Sequence, residues 1–312
     1  MHKAHAPRFA NTLGLLMSGP TLIHWGTEQQ KQRHLPQILA GSEIWCEGLS
    51  EPGAGSDLAS MQMRAVEDGD YFVVNGQKVW TSFAHRADFI QLFVRTDPDV
   101  PKHRGISCLA VDMKTLGITV RPLVQITGDS EFNEIFFEDV RIPKNNLIGP
   151  KNEGWKVLVT TLMHERAGIG SELPVHRQFA ELLKVCKTVE IHGRPASEDP
   201  AVRQKLAQFS IECTAITYNM FRSFSKRLKG NPPGPEGSVN KLLGSELNMR
   251  LAMFATELLG PYAQLTQGSP HTVDNGRWPR AALWYRLLTI GGGTSEIQKN
   301  ILGDRVLGLP KG

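Results

Sequence analysis

Residues 71–81 read Tyr71-Phe72-Val73-Val74-Asn75-Gly76-Gln77-Lys78-Val79-Trp80-Thr81. Two β-prone runs flank Asn-Gly, a pair that supplies the two positive φ angles of a type I′ turn, so the stretch predicts a β-hairpin. Further strand candidates follow at Phe89–Arg95, Ile106–Val111, Ile118–Pro122 and Glu134–Ile142, separated by turns bearing Asp, Pro and Gly. Strands that succeed one another without helices between them imply an antiparallel β domain. They exclude a doubly wound nucleotide fold, in which strands and helices alternate.

Helical signals lie on both sides of this block. Upstream, Thr27 is a candidate N-cap with Gln30 three residues on, before a helix through Arg33, Leu35 and Ile38 that Gly41 stops. Downstream of Gly149-Pro150 the period stays helical to the end. Asp199-Pro200 pairs an N-cap with proline at the first helical position. From there Val202, Leu206, Phe209, Cys213, Ile216, Met220 and Phe224 recur in steps of four and three, the seam of a helix packed lengthwise on others. A second helix carries Val239, Leu243, Leu247, Phe254 and Leu258, and a last one flanks Gly291-Gly292-Gly293. The expected organisation is a short helical region over 1–43, a β domain over 44–149 and a helical bundle over 150–312.

With 312 residues, 40% apolar and 21% charged, the chain can bury a core without disulfides or metals. Its net charge of +4 is spread out, which gives little ground for a nucleic-acid partner. Cys46, Cys108, Cys186 and Cys213 form no CxxC pair, as expected of reduced thiols. No window reaches the run of about 18 apolar residues of a membrane helix, and the first residues lack the apolar h-region of a signal peptide. A cytoplasmic protein is the expectation, or one of the mitochondrial matrix if eukaryotic. Metal-ligand spacings, a phosphate-binding Gly-x-x-x-x-Gly-Lys loop and a nucleophile elbow are all missing, which lowers hydrolytic and phosphoryl-transfer readings.

Two Gly/Ser segments stand out: Ser50-Glu51-Pro52-Gly53-Ala54-Gly55-Ser56-Asp57 and Gly291-Gly292-Gly293-Thr294-Ser295-Glu296-Ile297-Gln298. Each is an ordinary turn taken alone, yet such turns also expose backbone amides and hydroxyls to a flat heterocycle or a phosphate. Together with Ile44–Asp57, Asn75–Thr81 and Phe137-Glu138-Asp139-Val140 before Pro143, in this order, they resemble the acyl-CoA dehydrogenase family across essentially the whole chain. The resemblance implies an α+β multidomain fold: a partial N-terminal helical region, a central antiparallel barrel- or sandwich-like β domain and a C-terminal four-helix bundle. It also implies FAD against Leu49, Ser50 and the Trp80 indole, with the Ser82 hydroxyl following and Thr294 and Glu296 at the adenosine end. Ser56 matches a position on the CoA side. A core aromatic of the strand is the bland alternative for Trp80.

The implied reaction is α,β-dehydrogenation of an acyl-CoA to the trans-2-enoyl-CoA, which needs one carboxylate with a raised pKa and a donor for the thioester oxygen. Many family members carry that carboxylate where this sequence has Gly292. Members resembling isovaleryl- and long-chain acyl-CoA dehydrogenases carry it before an arginine on the first long bundle helix, a place filled by Glu165 and Arg166 within Met163-His164-Glu165-Arg166. Glu165 is the expected base, Arg166 a CoA neighbour, and the Gly292 N–H the donor. The competing reading is an exposed Glu-Arg pair on a solvated helix face.

The family's Arg-x-x-Phe-Gly element, which reaches the pyrophosphate of a neighbouring subunit's flavin, is replaced by Ile191-His192-Gly193-Arg194-Pro195. The N-terminal helical region is shorter than the family's. Electron-transfer flavoprotein is the expected electron acceptor and a homodimer or homotetramer the expected assembly. The alternatives are a non-catalytic subunit completing a partner's flavin site in a hetero-oligomer and, third, a flavin monooxygenase or oxidase.

Overall fold

A computed structural model of the chain describes residues 9–172, 175–231 and 234–310, with side chains described for all of these except 166–172. The chain divides into two compact units, Met1–Glu165 and Arg166–Gly312. Each is described by itself.

The first unit opens with α1 (Gly19–Trp25) and α2 (Glu28–Ala40). Thr27 begins α2 as the sequence predicts: its Oγ1 accepts from the Gln30 N–H at 3.2 Å while Gln30 Oε1 accepts from the Thr27 N–H at 3.0 Å. Gly41 ends the helix in the left-handed region. A seven-stranded sheet follows, formed by β1 (Trp45–Gly48), β2 (Arg64–Asp68), β3 (Tyr71–Ser82), β4 (Phe89–Arg95), β5 (Ile106–Asp112), β6 (Ile118–Leu123) and β7 (Phe132–Pro143). Its order is β1-β4-β2-β3-β7-β6, with β5 added on β4. Most pairings are antiparallel, as expected of strands in direct succession, but β1 runs parallel to β4, with Trp45 opposite Phe89 and Glu47 opposite Gln91.

The hairpin expected at Asn75-Gly76 is not there. β3 runs unbroken through both residues, and the tight turn lies earlier, at Gly69-Asp70, between β2 and β3. Asn75 is engaged across the sheet: its Oδ1 accepts from the Asp139 N–H at 2.8 Å and its Nδ2 donates to Asp139 Oδ1 at 2.9 Å. Gly76, at φ +144°, sits at a register shift against β7, where a Cβ would come within 2.7 Å of Met63 Cγ. Glycine is needed there for a bulge rather than a turn.

The sheet's two faces differ. Cys46, Ile90, Leu92, Leu109 and Val111 join Val74, Ile135 and Phe137 in one core. On the opposite face Trp45, Phe93, Ile106 and Cys108 pack against Leu22 of α1 and Val157 and Leu158 of α3 (Gly154–Glu172). Burial of each such side chain contributes about 1.5–3 kcal/mol. The division between the two units falls within α3.

The second unit is built from α4 (Val175–Thr188), α5 (Pro200–Leu228), α6 (Gly237–Leu259), α7 (Arg277–Trp284) and α8 (Ser295–Ile301). Asp199 caps α5, its Oδ1 accepting from the N–H groups of Ala201 and Val202 at 2.9 and 3.0 Å. The predicted seam is buried from Val202 to Ile216, against Leu182, Leu247, Leu251 and Trp278, but its far end is open, with Phe224 58% exposed. On α6 the expected apolar face is partly displaced. Leu247 is buried and Phe254 and Leu258 pack on the core as expected, but Leu243 is exposed and Val239 only half buried, whereas Asn240, Lys241, Ser245 and Asn248 are buried.

Candidate functional site

Leu49 and Ser50 leave the end of β1 and are both half buried. The loop after them is held by a residue the sequence reading passes over. Glu51, 9% exposed, accepts from the Gln62 N–H at 2.6 Å, the Met63 N–H at 3.0 Å and Lys78 Nζ at 2.9 Å. Lys78 is fully buried on β3 and also donates to the Leu49 carbonyl at 3.0 Å. Burial pushes its ammonium below the ordinary value, and the Glu51 charge opposes that shift. Arg95 completes the clamp, donating to the carbonyls of Ala59, Met61, Lys102 and Arg104. One signal for Lys78 was legible, since it shares strand parity with the inward Phe72 and Val74; a lysine in such a place is ordinarily read as solvated. Ser56 lies exposed on the same loop.

Trp80 is 62% exposed and has φ +61°. A second register shift between β3 and β7 falls between Lys78 and Thr81 and turns the indole outward, with Phe132 edge-on to it at 6.4 Å. An aromatic residue in the left-handed region costs about 1–2 kcal/mol, and such strain clusters at ligand clamps. This exposed, strained placement overturns the bland alternative of a core aromatic and leaves a free ring face of the kind a flat heterocycle stacks on. Ser82, at the end of β3, is half buried.

Glu165 is partly buried on α3, one turn after the fully buried Thr161. Thr161 Oγ1 accepts from Gln91 Nε2 at 2.9 Å and lies 2.9 Å from Thr21 Oγ1. A second carboxyl shares this region. Glu47, buried on β1, accepts from Ser18 Oγ at 2.7 Å. Burial, with the nearby Glu165 charge as a lesser cause, pushes the Glu47 carboxyl well above the usual carboxylate range, against the opposing Ser18 hydrogen bond. The sequence reading did not single out Glu47. The Arg166 side chain lies outside the described residues.

In the second unit Gly292 and Gly293 adopt φ +67° and +87°. Gln298 Nε2 donates to the Gly292 carbonyl at 2.9 Å, and the buried Lys241 Nζ donates to the carbonyls of Gly293 and Leu288 at 2.6 and 2.8 Å. Both fix the loop's carbonyls. Thr294 caps α8, its Oγ1 accepting from the Ile297 N–H at 3.2 Å, and Glu296 is exposed on the first turn. The segment replacing the family's pyrophosphate element is a two-stranded hairpin, Glu190–Ile191 against Arg194–Pro195, turning through positive φ at His192 and Gly193, with Arg194 exposed.

Among the described residues no cluster of His, Cys, Asp or Glu fits a metal, and no helix is long and apolar enough to cross a membrane. All four cysteines are free and buried. A polar cleft lined by Gln32, Arg33, Glu43, Asp88, Asp112 and Lys114 contains none of the predicted site residues.

Two family profiles match the chain: Acyl-CoA dehydrogenase, middle domain, over residues 46–140, and Acyl-CoA dehydrogenase, C-terminal domain, over residues 152–307. Acyl-CoA dehydrogenase IpdE1 of Mycobacterium tuberculosis is 38% identical over 316 residues, which cover 99% of this chain and 78% of the relative. The ChsE4-ChsE5 complex from Mycobacterium tuberculosis contains a chain 35% identical, with TM-score 0.88, covering 100% of this chain and 80% of its own. The structure titled Tcur3481-Tcur3483 steroid ACAD is 32% identical, with TM-score 0.87, covering 97% of this chain and 77% of its own.

Proposed function

The chain belongs to the acyl-CoA dehydrogenase family of FAD-dependent oxidoreductases, and from that premise we propose that it converts an acyl-CoA to the trans-2-enoyl-CoA with Glu165 as the α-proton base. One observation carries the reading: a partly buried carboxylate on α3, over a buried polar layer, in a chain whose commoner base position is a glycine at φ +67°. Glu165 takes the α-proton onto its carboxylate, and the β C–H bond breaks with its electron pair leaving as hydride. FAD, when bound, supplies the acceptor for that hydride. Leu49, Ser50, Trp80 and Ser82 hold the flavin ring on this reading, and Thr294 and Glu296 the adenosine end. The open indole of Trp80 and the loop fixed by Glu51 and Lys78 fit that role. The Gly292 N–H donates to the thioester oxygen, and Ser56 and Arg166 meet CoA.

The likeness to a steroid ACAD makes a steroid-derived thioester the first substrate to try, beside linear and branched acyl-CoAs. Electron-transfer flavoprotein is the proposed acceptor. The paired names of both structural neighbours favour a second reading, a subunit of a two-protein assembly that shares its flavin site.

The test is the visible flavin spectrum of the purified protein with FAD, followed anaerobically through addition of each acyl-CoA. Bleaching by one thioester is expected. Glu165→Gln should keep flavin and acyl-CoA binding while slowing bleaching about 10²–10⁴-fold, the range for a lost general base. Bleaching by Glu165→Gln at the wild-type rate would sink the base assignment. A folded chain that stays colourless alone, and takes up FAD only with a partner subunit, would favour the second reading.

A further inference from the structure

Below the turn of α3 that carries Glu165, two buried side-chain oxygens stand without a hydrogen-bond donor, Glu47 Oε2 and Gln91 Oε1. They belong to register partners on the adjacent strands β1 and β4, and both residues are buried. An ionised carboxylate and an amide oxygen are both acceptors only, so neither can satisfy the other. A proton on Glu47 Oε2 turns that oxygen into a donor, and the amide oxygen of its register partner Gln91 is an acceptor for it. The other contacts are consistent with this. Glu47 Oε1 already accepts from Ser18 Oγ at 2.7 Å. Of the buried cations of the same sheet, Lys78 is committed to Glu51 and the Leu49 carbonyl, and Arg95 to the carbonyls of Ala59, Met61, Lys102 and Arg104.

We propose that Glu47 is a neutral carboxylic acid whose Oε2–H donates to Gln91 Oε1, and that it is thereby a positioning residue for Glu165. The path is short. Fixing the Gln91 oxygen aims its Nε2 at Thr161 Oγ1, the 2.9 Å bond that ties α3 to the sheet one turn before Glu165. Burial and, to a lesser degree, the Glu165 charge favour the protonated form of Glu47, against the Ser18 hydrogen bond. The inference rests on the reading of Glu165 as the base.

Infrared spectroscopy of the wild-type protein at neutral pH tests the proton directly. A carbonyl stretch of a protonated carboxylic acid that disappears in Glu47→Gln is expected; its absence from the wild type would overturn the proposal. Kinetics test the positioning. Glu47→Gln keeps a donor for Gln91 and an acceptor for Ser18 and should bleach flavin at the wild-type rate. Glu47→Leu should bleach about 10²-fold more slowly, the scale of a misplaced reacting group, with flavin content and acyl-CoA affinity unchanged. In a Glu165→Gln background Glu47→Leu should add no further loss. A full additional loss there, or wild-type bleaching by Glu47→Leu alone, would overturn the positioning role. Failure of the underlying base reading shows separately, as wild-type bleaching by Glu165→Gln with the infrared band intact.

Discussion

In the unfolded chain Glu47 titrates near the ordinary carboxylate value of about 4.5, whereas in the fold burial holds its proton to higher pH. The folded state therefore binds more protons than the unfolded one above about pH 4.5, and stability falls as pH rises from there until the folded value is passed. The groups that couple to Glu47 are Cys46 on its own strand, Cys108 on β5 and Glu165 on α3. Both thiols are pushed up by burial from about 9, so they stay neutral through this window. Glu47→Gln has no proton to lose. Its stability relative to wild type should rise as pH climbs from about 5 until the folded value is passed, by at most about 1.4 kcal/mol per pH unit. Thermal melts of both proteins across that range check this, and a gap independent of pH would show that Glu47 titrates like a surface carboxylate. At Gly292 the constraint is conformational. A side chain at φ +67° adopts the left-handed region at a cost of about 1–2 kcal/mol. A carboxylate moved from Glu165 to this position carries that cost.

Among the elements, β3 does most to place the candidate site. Its inward parity sends Lys78 to Glu51, and its second register shift two residues later turns Trp80 outward. Breaking a buried pair by removing one partner costs about 3–5 kcal/mol, because the other charge is left without its counterion. Glu51 retains two backbone N–H donors, which places the expected loss for Lys78→Met at the lower end, about 3 kcal/mol. Urea unfolding measures it. The same variant should weaken FAD binding, since the Leu49 carbonyl loses its donor. A Lys78→Met protein of wild-type stability would show that the clamp holds nothing. On α6 the corresponding device is Lys241, whose ammonium ties the Gly293 and Leu288 carbonyls to a helix face lined by Asn240, Ser245 and Asn248.

For the molecule as a whole, the order of helical, β and helical segments was legible because the apolar period changes from 3.6 to 2 and back. The capping of α2 and α5 was legible because each cap's partners lie within three residues. Asn75-Gly76 misled because the partner of Asn75 is Asp139, 64 residues away, and a local turn signal carries no information about it. The buried face of α6 was hidden because lysine, asparagine and serine read as solvated until their partners are known, the carbonyls of a distant loop for Lys241 and those of the preceding turn of α6 for Ser245 and Asn248. Glu47 was hidden for the same reason, in a four-residue strand buried throughout. The outward turn of Trp80 also gives the molecule an optical property. Of six tryptophans, Trp45 and Trp278 are buried, Trp25, Trp155 and Trp284 half buried and Trp80 62% exposed, so its indole supplies the most quencher-accessible part of the emission. Acrylamide should extinguish that component in the flavin-free protein, Trp80→Phe should lack it, and FAD should remove it by stacking on the ring. Emission that acrylamide still reaches fully at saturating FAD would mean that the flavin lies elsewhere.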